Sequence, residues 1–273
     1  MYVSCLQLEV KKCEKEKNIQ KALKMSESAV EQGAEIIVLP EVFSTGFCYN
    51  RFEELSEKSP YPTLKLLRDF SKEYKVIIIG SILEKQNNSY YNLGFCLESG
   101  DLIGTYRKTH PFGEEKQYFS SGNSIQGFKT SKVKIGLQIC YEIRFPELAR
   151  ILTLMKSDLL VTIAEFPYPR ENHWKVLAIA RAIENQIPHI ACNCVSAEFF
   201  GASMIIDGFG KIVAEAGSGE EIIIGNIDLT QKNEFRNAIT CFEDRRPDLY
   251  NQYLHNIDHH EIQRASKENT SSL

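Results

Sequence analysis

Two short runs that are apolar at nearly every position, EIIVLP at 35–40 and DLLVTIAEF at 158–166, most restrict the folds open to this chain. A strand with one wet face alternates polar and apolar residues, whereas one without alternation is covered on both faces, as in a layered α/β protein. The segments around the first run fit that picture. YVSCLQLEV at 2–10 alternates like a strand, and the next stretch puts Ile19, Ala22, Leu23, Ala29 and Val30 on one helical face, closed by Gly33 as a C-cap. LKLLRDFSKEY at 64–74 predicts a second amphipathic helix leading into the strand VIIIGSILE. YYNLGFCLE and DLIGTYRK then predict a hairpin around Ser99-Gly100-Asp101.

The second half repeats this order. KVKIGLQIC predicts a strand, and FPELARILTLMK a helix with Pro146 in its first turn. After the buried run at 158–166, HWKVLAIARAIENQ predicts a helix with Trp174, Leu177, Ala180 and Ile183 about a turn apart, followed by the strand PHIACNCVS. ASMIIDGFGKIVAEA reads as a hairpin turned by Asp207-Gly208, and EIIIGNIDL ends the regular core. Two similar halves without a Pro- or Gly-rich linker imply one domain, 1–254, with two sheets and helices on the outer faces. From His255 the chain is polar and aperiodic, so 255–273 is expected to be a loosely held arm packed on a neighbouring subunit. Its HNIDHH segment reads as a solvated tail rather than a metal site.

At 273 residues, 43% hydrophobic and 25% charged, the chain has ordinary globular proportions and enough length for a substantial core. A net charge of -4 leaves no basic face for phosphate backbones, so nucleic acid is not an expected partner. MYVSCLQLEVKKCEKEK is heavily charged by Lys11 and has no apolar h-region, so it is not read as a signal peptide. No run of about 18 apolar residues predicts a membrane span. The expectation is a cytoplasmic protein with no membrane partner. The eight cysteines, at 5, 13, 48, 96, 140, 192, 194 and 241, lie mostly in apolar runs without a CxxC pair. They read as reduced thiols, not as a disulfide frame or a zinc site.

Ligands of open sheets bind beyond the carboxyl ends of strands. Glu41 follows IIVLP, Lys108 follows LIGTYR, and Cys140 follows KIGLQI. Each alone has a plain structural reading: a surface carboxylate, a solvated hairpin end, a small buried hydrophobe. Together they supply a base, a cation and a nucleophile. A thiol is mostly protonated at neutral pH and attacks as the thiolate, so it needs such neighbours. The turn in CYEIRFPE would lift the sulfur out of the sheet, as nucleophile elbows do with serine, and aim the backbone N–H of Tyr141 at the same spot. That N–H and the Lys108 ammonium would form an oxyanion hole. His110 is the alternative base for Cys140.

LPEVFSTGF, YRKTHPFGEEKQYFSSG, LQICYEIRFPE and HWKVLAIARAIENQ resemble, in order, the signature segments of the nitrilase superfamily of carbon–nitrogen hydrolases, with agreement from Tyr2 to about Tyr250. The resemblance implies Glu41 as general base and acid, Lys108 as oxyanion stabiliser and Cys140 as nucleophile. It implies Glu115 as a second glutamate that orients the lysine and substrate, with Glu114 as the alternative register. It further implies an α/β fold, a four-layer α-β-β-α sandwich with two mixed sheets, and a homodimer or higher homo-oligomer. No metal or organic cofactor is expected.

AEFPYPRENHW and RAIENQ look most like the ω-amidase-like branch, whose substrates are short dicarboxylate monoamides such as 2-oxoglutaramate. Arg144 and Arg170 are candidate cations for a distal carboxylate, although Arg144 could instead pair with Glu142 or cap the following helix. Phe47, Phe166 and Tyr168 are candidate pocket walls. The sequence departs from the branch in the short THPFGEEKQYF loop, in Cys194 and in Gly208, which bears on the substrate and not on the chemistry. Cys192 and Cys194 would share one strand face, as core packing or as a redox or metal pair. An N-carbamoyl amidohydrolase or nitrilase would use the same catalytic residues. Outside enzymes, the alternatives are an inactive binding or scaffold homologue and a thiol redox regulator.

Overall fold

The computed structural model describes residues 1–256, with side chains through Tyr253. The chain divides into two compact units, Met1–Lys232 and Asn233–Leu273. The first unit contains strands β1 (Tyr2–Gln7), β2 (Ile36–Val38), β3 (Ile77–Gln86), β4 (Ser89–Glu98), β5 (Asp101–Arg107), β6 (Gly127–Lys129), β7 (Lys134–Ile139), β8 (Leu159–Ala164), β9 (His189–Asn193), β10 (Met204–Ile206), β11 (Ile212–Glu215) and β12 (Glu221–Asn226). Its helices are α1 (Lys15–Glu31), α2 (Phe52–Leu55), α3 (Pro62–Tyr74), α4 (Glu115–Tyr118), α5 (Pro146–Leu154) and α6 (Glu171–Asn185). Helix α7 (Gln231–Ala238) spans the division, and α8 (Pro247–Asn256) lies in the second unit. The expected domain end at residue 254 therefore falls beyond the first compact unit. The expected arm at 255–273, with HNIDHH, lies outside the described side chains.

Two six-stranded sheets form, in the orders β12-β1-β2-β3-β4-β5 and β11-β10-β9-β8-β7-β6. Both are mixed: β1-β2-β3 and β7-β8-β9 run parallel, and the remaining pairs are antiparallel. Alternate side chains of each strand serve two different cores, which explains the lack of polar–apolar alternation in EIIVLP and DLLVTIAEF. Ile36 and Val38 join Ile77, Ile79, Ile135, Leu137, Leu159 and Val161 between the sheets. Ile37 and Ile78 point outward against Ile19, Ala22 and Ala29 of α1 and Leu64 and Leu67 of α3. On the second sheet Leu160 packs against Leu148, Ala149 and Leu152 of α5. This is the α-β-β-α sandwich, and burying each such aliphatic side chain contributes roughly 1.5–3 kcal/mol.

Local signals place most boundaries. Pro62 and Pro146 open α3 and α5, where a missing N–H costs nothing. Ser99 and Gly100, at φ 48° and 93°, turn β4 into β5, and a Cβ on Gly100 would meet Lys72 at 2.9 Å. Several expectations need correction. In α6 the buried residues are Trp174, Ala178, Arg181, Ala182 and Asn185, whereas Ile183 is 51% exposed. Arg181 can be buried because its Nε donates to the Ile143 carbonyl at 2.9 Å and its Nη1 to Glu184 at 2.8 Å. The final hairpin turns over Asp207–Lys211, with Asp207 Oδ1 accepting the N–H groups of Phe209 and Lys211. Strand β12 leaves the second sheet's neighbourhood in sequence to pair antiparallel with β1 at the edge of the first.

The reading of the cysteines as reduced thiols is also overturned at two positions. Cys13 and Cys48 form a disulfide that closes a 35-residue separation. Sequence proximity does not reveal it, because the partners come from the loop before α1 and the loop after β2. The two loops are further joined by the Cys13 N–H bond to the Thr45 carbonyl at 2.8 Å.

Candidate active site

Four strands end at one edge of the sandwich and supply its ionisable groups. Glu41 stands just beyond β2, Lys108 beyond β5, Cys140 beyond β7 and Glu165 beyond β8, while Glu115 opens the short helix α4. The turn after β2 is sharp: Val42 has φ 34°, and its N–H donates to Ser81 Oγ at 2.8 Å. Cys140 has φ 52° and begins a single turn of 3-10 helix over Cys140–Arg144, so the sulfur is presented from a left-handed residue. Such a conformation is uncommon for a side chain other than Gly, Asn or Asp and persists where the surroundings impose it.

The side chains converge. Lys108 Nζ donates to Glu41 Oε1 at 2.8 Å and to Glu115 at 2.7 and 3.0 Å. Glu41 Oε1 also accepts from Asn92 Nδ2 at 2.7 Å, and Glu41 Oε2 accepts the backbone N–H of Glu165 at 2.9 Å. The Cys140 thiol donates to the Glu165 carbonyl at 3.9 Å, and the charges of Glu41 and Lys108 both act on it. Glu41, Lys108, Glu115 and Cys140 are 0, 2, 5 and 5% exposed, so the ion pairs act with little screening by water. Lys108 pairs with Glu115 and not Glu114; Glu114 is exposed, which decides the register left open by the sequence.

Burial works against every charge here, and the neighbours decide which survive. Desolvation opposes the Lys108 cation, but Glu41 and Glu115 outweigh it and hold its pKa well above the usual lysine value. Burial raises Glu115 to about 7, with Lys108 opposing and Glu41 adding to the rise. Burial, then the Glu41 charge, pushes the Cys140 thiol well up, although Lys108 pulls the other way. These influences favour the thiol over a preformed thiolate, so the nucleophile must lose its proton as it attacks. Among the described residues no three His, Cys, Asp or Glu side chains cluster so as to hold a metal ion.

A second network fixes the relative positions of the lysine and cysteine loops. The buried Glu142 carboxylate accepts from Tyr106 Oη, Thr109 N and Thr109 Oγ1, each at 2.7 Å, and from Ile139 N at 2.8 Å. Burial opposes its ionisation, but hydrogen bonds from His110, Tyr106, Thr109 and Ile139 prevail and hold it below the usual carboxylate range. His110 belongs to this network: its Nδ1 is 2.8 Å from Thr109 Oγ1 and its ring stacks on Phe145 at 4.1 Å.

The other sequence candidates fall in several places. Phe47 lines a cavity of about 530 Å³ together with Lys12, Tyr49, Glu114, Glu165 and Glu198. The Tyr141 ring packs on Phe112 at 4.7 Å and Phe145 at 5.2 Å. Arg144 does not pair with Glu142: its Nη2 is 3.3 Å from His173 Nδ1, its guanidinium lies 5.4 Å from the Phe166 ring centre, and it lines a separate cavity of about 250 Å³. Phe166 is buried beside Trp174 and Phe200. Arg170 reaches the Tyr168 carbonyl at 3.1 Å and the Phe112 ring at 5.8 Å, and Tyr168 packs on Phe200 at 5.6 Å. Cys192 and Cys194 are fully buried, Cys192 against the carbonyls of Leu6 and Val38. Sequence reasoning passed over Asn92, Lys12 and Glu165 and took Glu142 only as a partner for Arg144; Glu165 had the same signal as Glu41, a carboxylate directly after an apolar strand.

Comparison with known proteins bears on these groups. A carbon–nitrogen hydrolase family profile matches residues 2–237. A 2-oxoglutaramate amidase of Bacillus subtilis (strain 168) is 38% identical over 256 residues, 91% of this chain and 98% of its own. The omega-amidase NIT2 of Homo sapiens is 33% identical, over 86% of this chain and 92% of its own. Among solved structures, Saccharomyces cerevisiae Nit3, a member of branch 10 of the nitrilase superfamily, superposes with a TM-score of 0.85 at 30% identity, covering 90% of this chain and 96% of its own. A carbon-nitrogen hydrolase from Helicobacter pylori G27 superposes at 0.86 with 28% identity, covering 93% and 98%.

Proposed function

Because the chain belongs to the carbon–nitrogen hydrolase family, we propose that it hydrolyses the terminal amide of a short dicarboxylate monoamide such as 2-oxoglutaramate, through a thioester on Cys140. The observation that carries this reading is the Lys108 ammonium held between Glu41 and Glu115, at 2.8 and 2.7 Å, beside a buried thiol. The names of the Bacillus and human relatives support the substrate class.

Glu41 accepts the thiol proton as the sulfur attacks the amide carbon, and the carbonyl electron pair moves onto oxygen. Lys108 and the Tyr141 N–H hold the oxyanion, each such donor being worth about 3 kcal/mol in a transition state. Glu115 keeps the lysine in place. The carbonyl re-forms, the C–N bond breaks, and Glu41 returns the proton to the departing nitrogen, releasing ammonia and leaving the thioester. A water then attacks while Glu41 takes its proton; collapse of the second oxyanion breaks the C–S bond, and the sulfur regains a proton as the carboxylate leaves.

The test is ammonia release from a panel of monoamides, with mass spectrometry of the intact protein to weigh a trapped acyl group on Cys140. Ammonia from 2-oxoglutaramate or succinamate and an acyl adduct at Cys140 are expected. Turnover of nitriles alone, or carbon dioxide appearing with the ammonia, would overturn the substrate assignment. A protein inert to every amide while Cys140 stays unmodified would overturn the reaction itself. No described helix is long and apolar enough to cross a membrane. We also propose a homodimer, for which the outward side chains of Val176 and Ile183 on α6, 56 and 51% exposed, offer an apolar face to a second copy. Sedimentation at the mass of a single chain would refute it.

A further inference from the structure

Glu165 is a buried acid that the chemistry above leaves unused. Its main chain belongs to the catalytic centre: the N–H donates to Glu41 Oε2 at 2.9 Å, and the carbonyl lies 3.9 Å from the Cys140 sulfur. Its side chain leaves that centre and lines the 530 Å³ cavity with Phe47, Tyr49 and Phe199. The residue is only 3% exposed, yet Oε1 has no hydrogen-bond partner. An unsatisfied buried polar atom costs about 1–3 kcal/mol, and native proteins keep few of them without a use.

The state of the acid follows from its surroundings. Burial, then the charges of Glu41 and Glu115, raises its pKa well above the usual carboxylate value, with Lys12 opposing and Glu198 adding slightly to the rise. These surroundings favour the protonated acid, which can donate a hydrogen bond as well as accept one. Of the charges around the cavity, Lys11 is occupied by Glu9, while Lys12, Glu114 and Glu198 are exposed and screened by water. Within the cavity the buried acid is the polar group best placed to read a ligand.

We propose that Glu165 is a specificity-determining residue, whose carboxyl group donates a hydrogen bond to an acceptor oxygen on the acyl chain of the substrate. That oxygen, a keto or carboxylate group, lies a few bonds from the carbon attacked by Cys140, because the backbone of Glu165 touches the nucleophile and its side chain points away. Acyl chains bearing oxygen are then favoured over plain alkyl chains of the same length. This inference rests on the amidase reading and adds a determinant of its substrate class.

The experiment compares kcat/KM for succinamate and 2-oxoglutaramate with that for butanamide and pentanamide, in the wild-type enzyme, Glu165→Leu and Glu165→Gln. Side-chain replacement leaves the backbone bonds to Glu41 and Cys140 in place. Loss of one hydrogen bond to a polar or charged acceptor, worth about 1.5–3 kcal/mol, lowers the preference for the oxygen-bearing amides by roughly 10- to 100-fold in the leucine variant. The glutamine variant, which keeps a donor, retains most of the preference. Equal losses on both amide classes, or an unchanged preference in both variants, would overturn the inference while leaving the amidase reading intact. A wild-type enzyme inactive on all four amides would overturn both. Should the leucine variant not fold, the glutamine variant alone decides the matter through the pH profile of the preference. The wild-type preference falls at high pH as Glu165 ionises, the glutamine preference does not, and identical profiles refute the proposal.

Discussion

Replacing Lys108 by methionine keeps most of the side-chain volume and removes the ammonium that balances Glu41 and Glu115. The ammonium is 2% exposed and holds both carboxylates at 2.7–3.0 Å, so its loss leaves buried acids facing each other without a counter-ion. Breaking a buried pair from one side costs about 3–5 kcal/mol. The size should depend on pH. Glu115 stands at about 7 with Lys108 opposing the rise, so removing the lysine moves it higher. Its folded pKa is then above its unfolded value of about 4.3, and between the two the folded state binds the extra proton. Wild type loses stability through the same window only up to about 7, whereas the variant's window extends higher, so the deficit grows as pH rises above about 7. Urea unfolding of both proteins at pH 6, 7.5 and 9 measures this: the deficit should be smallest at pH 6 and grow toward pH 9. In parallel, losing the oxyanion donor lowers kcat by about 100- to 1,000-fold. A deficit that is constant across pH, or a variant as stable as wild type at pH 7.5, would refute the account of Lys108 as the counter-ion of the site.

Two more outcomes are expected. Glu142→Leu leaves the Thr109 and Ile139 N–H groups and the Tyr106 hydroxyl without their acceptor, so it should cost about 3–5 kcal/mol and depress kcat as the loops carrying Lys108 and Cys140 lose register. Because the folded pKa of Glu142 is depressed, its stabilisation is present above the unfolded value and disappears as pH falls through the folded one; calorimetry at pH 7 and pH 4 should find the variant closer to wild type at the lower pH. Cys13→Ser with Cys48→Ser opens a 35-residue loop and should lower stability by roughly 3–4 kcal/mol, readable as a drop in Tm that dithiothreitol reproduces in the wild-type protein but not in the variant.

Much of the architecture was legible because it is repetitive. The unbroken apolar stretches IIVLP and LLV, with IA after Thr162, follow because each strand has one face in the inter-sheet core and one under helices, and that reading needed no partner to be known. Partnership itself was not legible. Nothing in EIIIGNIDL tells that β12 pairs with β1, more than 200 residues away by the Tyr2–Asn226 register, and β6 at Gly127–Lys129 is too short to show a period. The α6 face was misjudged because periodicity counts Ile183 as core and Arg181 as surface, whereas the local acceptors at Ile143 and Glu184 make the opposite arrangement stable. The resemblance to the carbon–nitrogen hydrolases is borne out by the profile and by the fold.

The centre shows the same division. Glu41, Lys108 and Cys140 each break an apolar run at a strand end, so position alone raised them. Glu165 has that signal as well, but what sets it apart, burial with one oxygen unpartnered, belongs to the packed structure and to no pattern of letters. Asn92 and Glu142 likewise become visible only when the strands they belong to are brought beside the charges they orient. The Cys13–Cys48 link has no local sign at all, since its two loops meet only through the folding of α1 onto the first sheet.

The left-handed backbone at Cys140 has a bearing on engineering. Glycine is the residue that φ 52° suits best, and a side chain other than Asn or Asp there carries a conformational penalty of about 1–2 kcal/mol. Heat-challenge screens that score only the folded fraction would thus reward loss of the sulfur and enrich robust but inert proteins. Libraries built on this scaffold need a turnover-based selection, or position 140 held constant, to keep the nucleophile.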